Sequence, residues 1–310
     1  MIQPPYLKIG DKIRIISSAR KISKEELDPA INLLESWGLE VDFGKNLYAT
    51  DQQFAGTEEQ RARDLQDAID NKEVKAILFA RGGYGSVQIV DQVNWDALIS
   101  NPKWLIGYSD ITVFHCHLNQ VLGLESIHAT MPIDIKADSS KLSKEGVHSM
   151  KDAIFGNEMV YEFGNSEFNK YSDGEIEGEL VGGNLSILYS LSGSRSQLSG
   201  KNKIIFMEDL DEYLYHIDRM MMNLLRSNLF EDCKAVIVGG MSDMNDNTIP
   251  FGKSAEEIIS ERLQDIGVPV FFGFPAGHIQ DNRAMLFGRK VSITPTDRQL
   301  YELRIHGRSQ

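Results

Sequence analysis

Cysteine is scarce: Cys116 and Cys233 are the only two in the chain. Two thiols cannot make the bridge framework of a small secreted domain. Cys116 lies in a helical pattern and Cys233 just ahead of an apolar run, so both are expected as buried thiols. Basic residues are in deficit, with 32 Lys and Arg against 45 Asp and Glu and a net charge of −13. Such a chain lacks the basic face that nucleic acid or an anionic bilayer would need. No apolar run approaches the roughly 20 residues that span a bilayer. The start, Met1-Ile2-Gln3-Pro4-Pro5-Tyr6, has no charged segment leading into an apolar one. No secretory leader is therefore expected, and the cytoplasm is the expected compartment. Internal repeats, low-complexity tracts, a GxGxxG fingerprint and a Walker lysine followed by Ser or Thr are all missing.

What remains is an ordinary globular composition, 42% hydrophobic and 25% charged over 310 residues. That is enough chain for two domains or one large one. Lys12 to Ile16 reads as a first buried strand, followed by Leu39 to Phe43, Val74 to Phe79, Trp104 to Ile106 and Leu124 to His128. Capping boxes at Ser23–Glu26 and Thr57–Gln60 open helices between them. Strands alternating with helices predict a parallel α/β sheet over residues 1–156, with ligands at the carboxyl ends of its strands. Residues 157–173, with Asn157, Gly164, Asn165, Ser166, Asn169, Ser172 and Asp173 and little periodicity, read as a linker. A second domain over 174–310 follows. In it, Gly182-Gly183-Asn184 is expected to turn the chain, and strands are expected at Lys203 to Met207, Ala235 to Val238 and Val268 to Phe272.

Two strand ends carry the chemistry. The fourth strand runs into Gly107-Tyr108-Ser109-Asp110-Ile111, and a helical pattern follows. A strand, a sharp turn and a helix present a serine hydroxyl at a sheet edge, although the usual second glycine is Ile111 here. Ser109 or Asp110 as a plain helix cap is the competing account. The third strand runs into Arg81-Gly82-Gly83-Tyr84-Gly85. Its glycines fit either a phosphate cradle or backbone N–H groups brought close to a reacting carbonyl. With a serine on the neighbouring strand end, the second account is stronger. Arg81 is then a candidate cation for a substrate carboxylate, although an arginine at a strand end is as often a structural ion pair.

A serine nucleophile needs a base. His115 and His117 lie two apart on one helix and point roughly 200° apart, so they cannot share a metal; they are expected at a helix surface and its edge. His128 is expected to line a pocket, His148 a helix surface, His216 the start of a helix and His306 the tail. His278 follows a strand and Pro275-Ala276-Gly277, in a loop, and is the better base. Glu208 ends the strand Lys203 to Met207 and is the candidate orienting carboxylate, while Asp211 and Glu212 read as a solvated turn.

Five blocks resemble one family, the serine LD-carboxypeptidases, whose peptidase family also holds the microcin C immunity proteins. They are Ala80-Arg81-Gly82-Gly83-Tyr84-Gly85, Ile106-Gly107-Tyr108-Ser109-Asp110-Ile111-Thr112, Gly182-Gly183-Asn184-Leu185-Ser186, Glu208-Asp209 with Tyr215-His216-Ile217-Asp218-Arg219-Met220, and Gly273-Phe274-Pro275-Ala276-Gly277-His278. The resemblance implies a flavodoxin-like N-terminal domain and a swivelling C-terminal β/α domain. It implies a Ser109–His278–Glu208 triad and an oxyanion hole from the N–H groups of Gly83 and Asp110. Substrate contacts are expected at Arg81, Gly82 and Asn184. It also implies a homodimer that removes the terminal D-alanine from murein tetrapeptide in the cytoplasm, with no metal or cofactor. The Glu208-Asp209 and Tyr215–Met220 text is more similar to the carboxypeptidase branch than to the immunity branch, which cleaves aminoacyl-nucleotide analogues. His128-Ala129-Thr130-Met131-Pro132 departs from the family's frequent His-Gly-Pro-Met. A nucleotide-binding α/β protein without catalysis is the alternative from another class.

Overall fold

A computed structural model describes residues 1–136, 143–164, 166–170, 174–296 and 300–305. His306 and the linker positions Asn165, Ser172 and Asp173 lie outside the described residues.

The first sheet is built from β1 (Lys12–Ile16), β2 (Glu40–Phe43), β3 (Val74–Phe79), β4 (Trp104–Gly107) and β5 (Ser126–His128). These five strands pair parallel, in the spatial order β5-β4-β3-β1-β2. That is the flavodoxin-like order, with its switch point between β1 and β3. The helices follow from their ends. In α1 (Lys24–Ser36) and α2 (Glu58–Asp70) both expected capping boxes form, Ser23 with Glu26 and Thr57 with Gln60. Short α3 (Ser86–Ile89) and α4 (Ala97–Ser100) precede β4. After β4 a 3-10 turn at Ser109–Ile111 leads into α5 (Thr112–His117). Helix α6 (Lys144–Phe155) is capped by Ser143 Oγ, which accepts the Gly146 N–H.

The expected linker holds a strand. Met159–Phe163 is β6, with Met159, Tyr161 and Phe163 buried and the residues between them exposed. That period of two is a strand signature, obscured by the glycine- and asparagine-rich text around it. β6 is the edge of a seven-stranded sheet of order β10-β9-β8-β7-β12-β13-β6. Its members are β7 (Ile176–Asn184), β8 (Lys203–Leu210), β9 (Ala235–Ser242), β10 (Val270–Phe272), β12 (Lys290–Pro295) and β13 (Tyr301–Ile305). β7 to β10 pair parallel, and β12, β13 and β6 add antiparallel. Helices α7 (Leu185–Ser190), α8 (Leu214–Arg226) and α9 (Ala255–Arg262) belong to this half. Strand β11 (Met285–Phe287) instead returns to the first sheet and pairs antiparallel with β5, Met285 opposite His128.

Gly182 and Gly183 do not turn the chain; β7 continues through both, at φ of +138° and +140°. A Cβ on Gly182 would lie 1.9 Å from Phe206 O, and one on Gly183 2.4 Å from Thr112 Oγ1. The glycines are there for close approach, the second of them to the helix that follows Ser109. No helix among the described residues is long and apolar enough to cross a membrane.

Candidate active site

Strand β4 is buried along its whole length and delivers Ser109 at its carboxyl end. Ser109 sits at φ +62°, a left-handed conformation uncommon for a residue with a Cβ. Such backbone costs about 1–3 kcal/mol and is held only where surroundings enforce it. Here His115 helps to enforce it. Its Nε2 lies 2.9 Å from Gly107 O and its Nδ1 2.8 Å from Ser126 Oγ. Burial lowers the pKa of His115 to about 4, so the imidazole stays neutral under the turn.

Ser109 Oγ lies 3.0 Å from His278 Nε2, and His278 Nδ1 lies 2.7 Å from Glu208 Oε2. The same oxygen accepts the His278 backbone N–H at 3.1 Å. Glu208 is 0% exposed, because β8 continues through it instead of ending at Met207. A Cβ on Gly277 would sit 2.7 Å from Glu208 Oε2, so only glycine lets the loop close over the carboxylate. The Tyr108 ring packs on the His278 imidazole at 4.9 Å between centroids. Burial alone would lower the pKa of His278. The charge and hydrogen bond of Glu208 outweigh it and hold that pKa above the usual 6.5. Beside Glu208, burial and then the Glu208 charge raise the Asp209 carboxyl to about 7.

The Arg81–Gly85 loop lies against the serine. A Cβ on Gly82 would be 3.0 Å from Ser109 Cβ, 3.1 Å from its Oγ and 3.4 Å from Asp110 N. Gly83, at φ +112°, has the Arg20 side chain over it, 2.6 Å from the position a Cβ would take. A cavity of about 260 Å³ lies at Tyr108, lined also by Asp134, Lys136, Ile279 and Asn282 among others.

Several expected residues are placed elsewhere. Arg81 donates Nη1 to Lys21 O at 3.0 Å and lines a different cavity with Ser23, Tyr48 and Thr50, so it is drawn away from the serine. Asn184 is 5% exposed and fully engaged. Its Nδ2 donates to Asp209 Oδ1, and its Oδ1 accepts from Ser186 Oγ and Ile187 N, which caps α7. It holds the second domain together beside Thr112, whose Oγ1 accepts the Asn184 N–H. His128 is buried against Tyr108, Phe206 and Phe287, with Nε2 3.3 Å from Asn282 Oδ1, and is not among the residues that line the cavity at Tyr108. His115 and His117 are both buried, because α5 is packed on all sides. His117 pairs with Ser196. His148 is exposed, His216 pairs with Glu212, and both cysteines are buried and free, as expected.

Arg20 was not singled out by the sequence. Arg20 carried one usable signal: it follows Ser17-Ser18-Ala19 after β1, on the switch-point side of the sheet.

A hydroxyl, an imidazole and a buried carboxylate in hydrogen-bond series, on a two-domain α/β frame, is the arrangement that activates a serine for acyl transfer. Residues 13–129 match the LD-carboxypeptidase N-terminal domain family, and residues 177–293 match the LD-carboxypeptidase C-terminal domain family. The chain belongs to the LD-carboxypeptidase family. It is similar to a probable murein peptide carboxypeptidase of Bacillus subtilis, 31% identical over 96% of this chain and 92% of the relative. The muramoyltetrapeptide carboxypeptidase of Oxalobacter formigenes has a similar structure, with a TM-score of 0.84 at 26% identity, covering 96% of this chain and 100% of that one. The microcin C7 self-immunity protein of Escherichia coli is 26% identical over 93% of this chain and 91% of its own length.

Proposed function

We propose that this protein is a cytoplasmic, homodimeric serine carboxypeptidase. It releases the terminal D-alanine from murein tetrapeptide (L-Ala, D-Glu, meso-diaminopimelate, D-Ala) in cell-wall recycling. The observation that carries the reading is the series Ser109 Oγ to His278 Nε2 at 3.0 Å and His278 Nδ1 to Glu208 at 2.7 Å. His278 takes the Ser109 proton as Oγ attacks the carbonyl before D-alanine. Glu208 fixes the tautomer and faces the imidazolium that forms. The N–H groups of Gly83 and Asp110 receive the oxyanion, an effect of roughly 3–4 kcal/mol for a strong donor. His278 then gives its proton to the departing D-alanine nitrogen. Water, deprotonated by the same imidazole, frees the acyl chain from Ser109. The scheme uses no metal or cofactor. The terminal carboxylate is assigned to Arg20, an exposed cation lying over Gly83, in place of Arg81.

The test is D-alanine release from murein tetrapeptide. Ser109→Ala is expected to abolish it, and a chelator to leave it unchanged. Release that survives the substitution refutes the mechanism. The similarity to the self-immunity protein, whose solved structure holds aspartyl sulfamoyl adenosine, extends over nearly the whole chain, so that compound is assayed on the same preparation. Faster cleavage of that compound overturns the carboxypeptidase reading in favour of the amidase.

A further inference from the structure

The oxyanion loop is held from behind by a buried polar network that the acyl-transfer scheme does not use. Asp110 is 2% exposed. While its backbone N–H lies beside Gly82, its carboxylate Oδ2 accepts the Ser86 N–H at 2.8 Å, one residue past the end of the Arg81–Gly85 loop. Ser86 Oγ meets Ser18 Oγ at 2.8 Å, on the segment that follows β1. Arg61 reaches in from α2 and is likewise 2% exposed. Its Nη1 donates to Ser18 O at 2.7 Å and to Gly85 O at 3.0 Å, and its Nη2 donates to Gln88 Oε1 at 2.8 Å. Gly85 stands at φ +150°, and a Cβ there would come within 2.7 Å of Arg61 Nη1. Within this network Arg61 Nε and Asp110 Oδ1 have no hydrogen-bond partner among the described residues.

This is an expensive way to build a core. Desolvating a guanidinium and a carboxylate costs several kcal/mol each, and apolar residues of the same volume often stabilise as well. Stability alone therefore does not account for the two charges. Their contacts do: one grips the start of α3, the other grips Gly85 and the segment after β1. The loop is thus anchored just beyond Gly83, against the residue that supplies the second N–H.

We infer that Arg61 and Asp110 are positioning residues, whose side chains hold the Gly82–Ser86 segment so that the Gly83 and Asp110 N–H groups converge beside Ser109. This rests on Ser109 being the nucleophile. Neither side chain touches substrate. Both act through the aim of backbone donors, whose value depends on fixed geometry.

The experiment measures the rate at which a fluorophosphonate labels Ser109, since that reaction also develops charge on an oxygen in the hole and needs no particular peptide. D-alanine release is measured in parallel. Asp110→Ala, Arg61→Met, their double variant and Ser18→Ala are compared after circular dichroism shows each folded at the assay temperature. Asp110→Ala, which removes the acceptor of the Ser86 N–H, and Arg61→Met are expected to slow labelling and kcat by about 10- to 100-fold with KM held within about two-fold, the signature of lost transition-state binding. The double variant is expected to be no worse than the worse single by more than about three-fold, because both act on one loop. Ser18→Ala, which removes one hydroxyl, is expected to lose about two- to five-fold and keeps the inference testable if Arg61→Met does not fold. Labelling within two-fold of the unmodified protein in the folded variants overturns the inference, as does a rise in KM at constant kcat or a double loss equal to the product of the singles. Labelling of the unmodified protein that Ser109→Ala does not remove overturns the nucleophile assignment, and the inference falls with it.

Discussion

Glu208→Gln separates the charge of the carboxylate from its shape. Glu208 Oε2 receives two donors, the His278 backbone N–H and Nδ1–H. In the glutamine variant an amide oxygen must take that place, since an NH2 group would face two N–H donors. The tautomer with a free Nε2 toward Ser109 is then retained, and the loss is the negative charge opposite the imidazolium. Two unit charges about 4 Å apart at an effective dielectric near 20 interact by about 4 kcal/mol. At about 1.4 kcal/mol per decade, kcat is expected to fall about a thousand-fold. The pH profile gives a second reading. A protonated His278 cannot accept the serine proton, so activity is lost as pH falls through its pKa. Glu208 holds that pKa above 6.5 against burial. With the charge removed, burial dominates and the acid limb of kcat/KM moves to lower pH. The assay is D-alanine release across about pH 5–9, with Glu208→Ala as the variant that also breaks both hydrogen bonds. A loss below about ten-fold in Glu208→Gln, or an acid limb that moves upward, refutes the assigned role.

Gly82→Ala places a methyl 3.0 Å from Ser109 Cβ and 3.1 Å from its Oγ. It is expected to lower kcat by about ten-fold or more with little change in thermal midpoint, read from steady-state kinetics and calorimetry. Arg20→Ala is expected to raise KM for the tetrapeptide about ten-fold or more, whereas Arg81→Ala, tied to Lys21 O, changes it less than two-fold; the reverse pattern returns the carboxylate to Arg81. Asn184→Ala removes the cap of α7 and a donor to Asp209. It is expected to cost about 1–3 kcal/mol in denaturant unfolding with KM unchanged, and a raised KM would restore its assignment as a substrate contact.

Much of this site is legible in the chain because backbone pattern and chemistry coincide there. A strand, a glycine and a serine before a helix predict where Ser109 projects, and a histidine in the loop after Phe272 can reach the same edge. Legibility fails where the information is three-dimensional. Met285–Phe287 is a three-residue strand, and nothing local says which sheet it joins. Helix α5 is buried all round, so it has no polar face to betray His115 and His117 as interior. Asn184 reads as a loop residue beside two glycines, yet those glycines serve the contact with Thr112 and Phe206. Arg81 has the right charge at the end of β3, and only the structure shows its side chain tied to Lys21 O while Arg20, after β1, lies over Gly83.

The path of the chain past His278 ties the two halves to one another. Asn282 Oδ1 accepts the Gly277 N–H and touches His128 of β5, and β11 then lies down along β5 itself. The imidazole therefore rides on a span moored at one end to the second sheet, through Glu208, and at the other to the sheet that carries the serine. Displacing one half against the other would therefore strain the segment that carries His278. A single proteolytic cut between Gln280 and Arg283 would spare both cores and every residue of the acyl-transfer scheme, yet release one mooring. The nicked protein is expected to keep its circular dichroism spectrum and to release D-alanine more slowly.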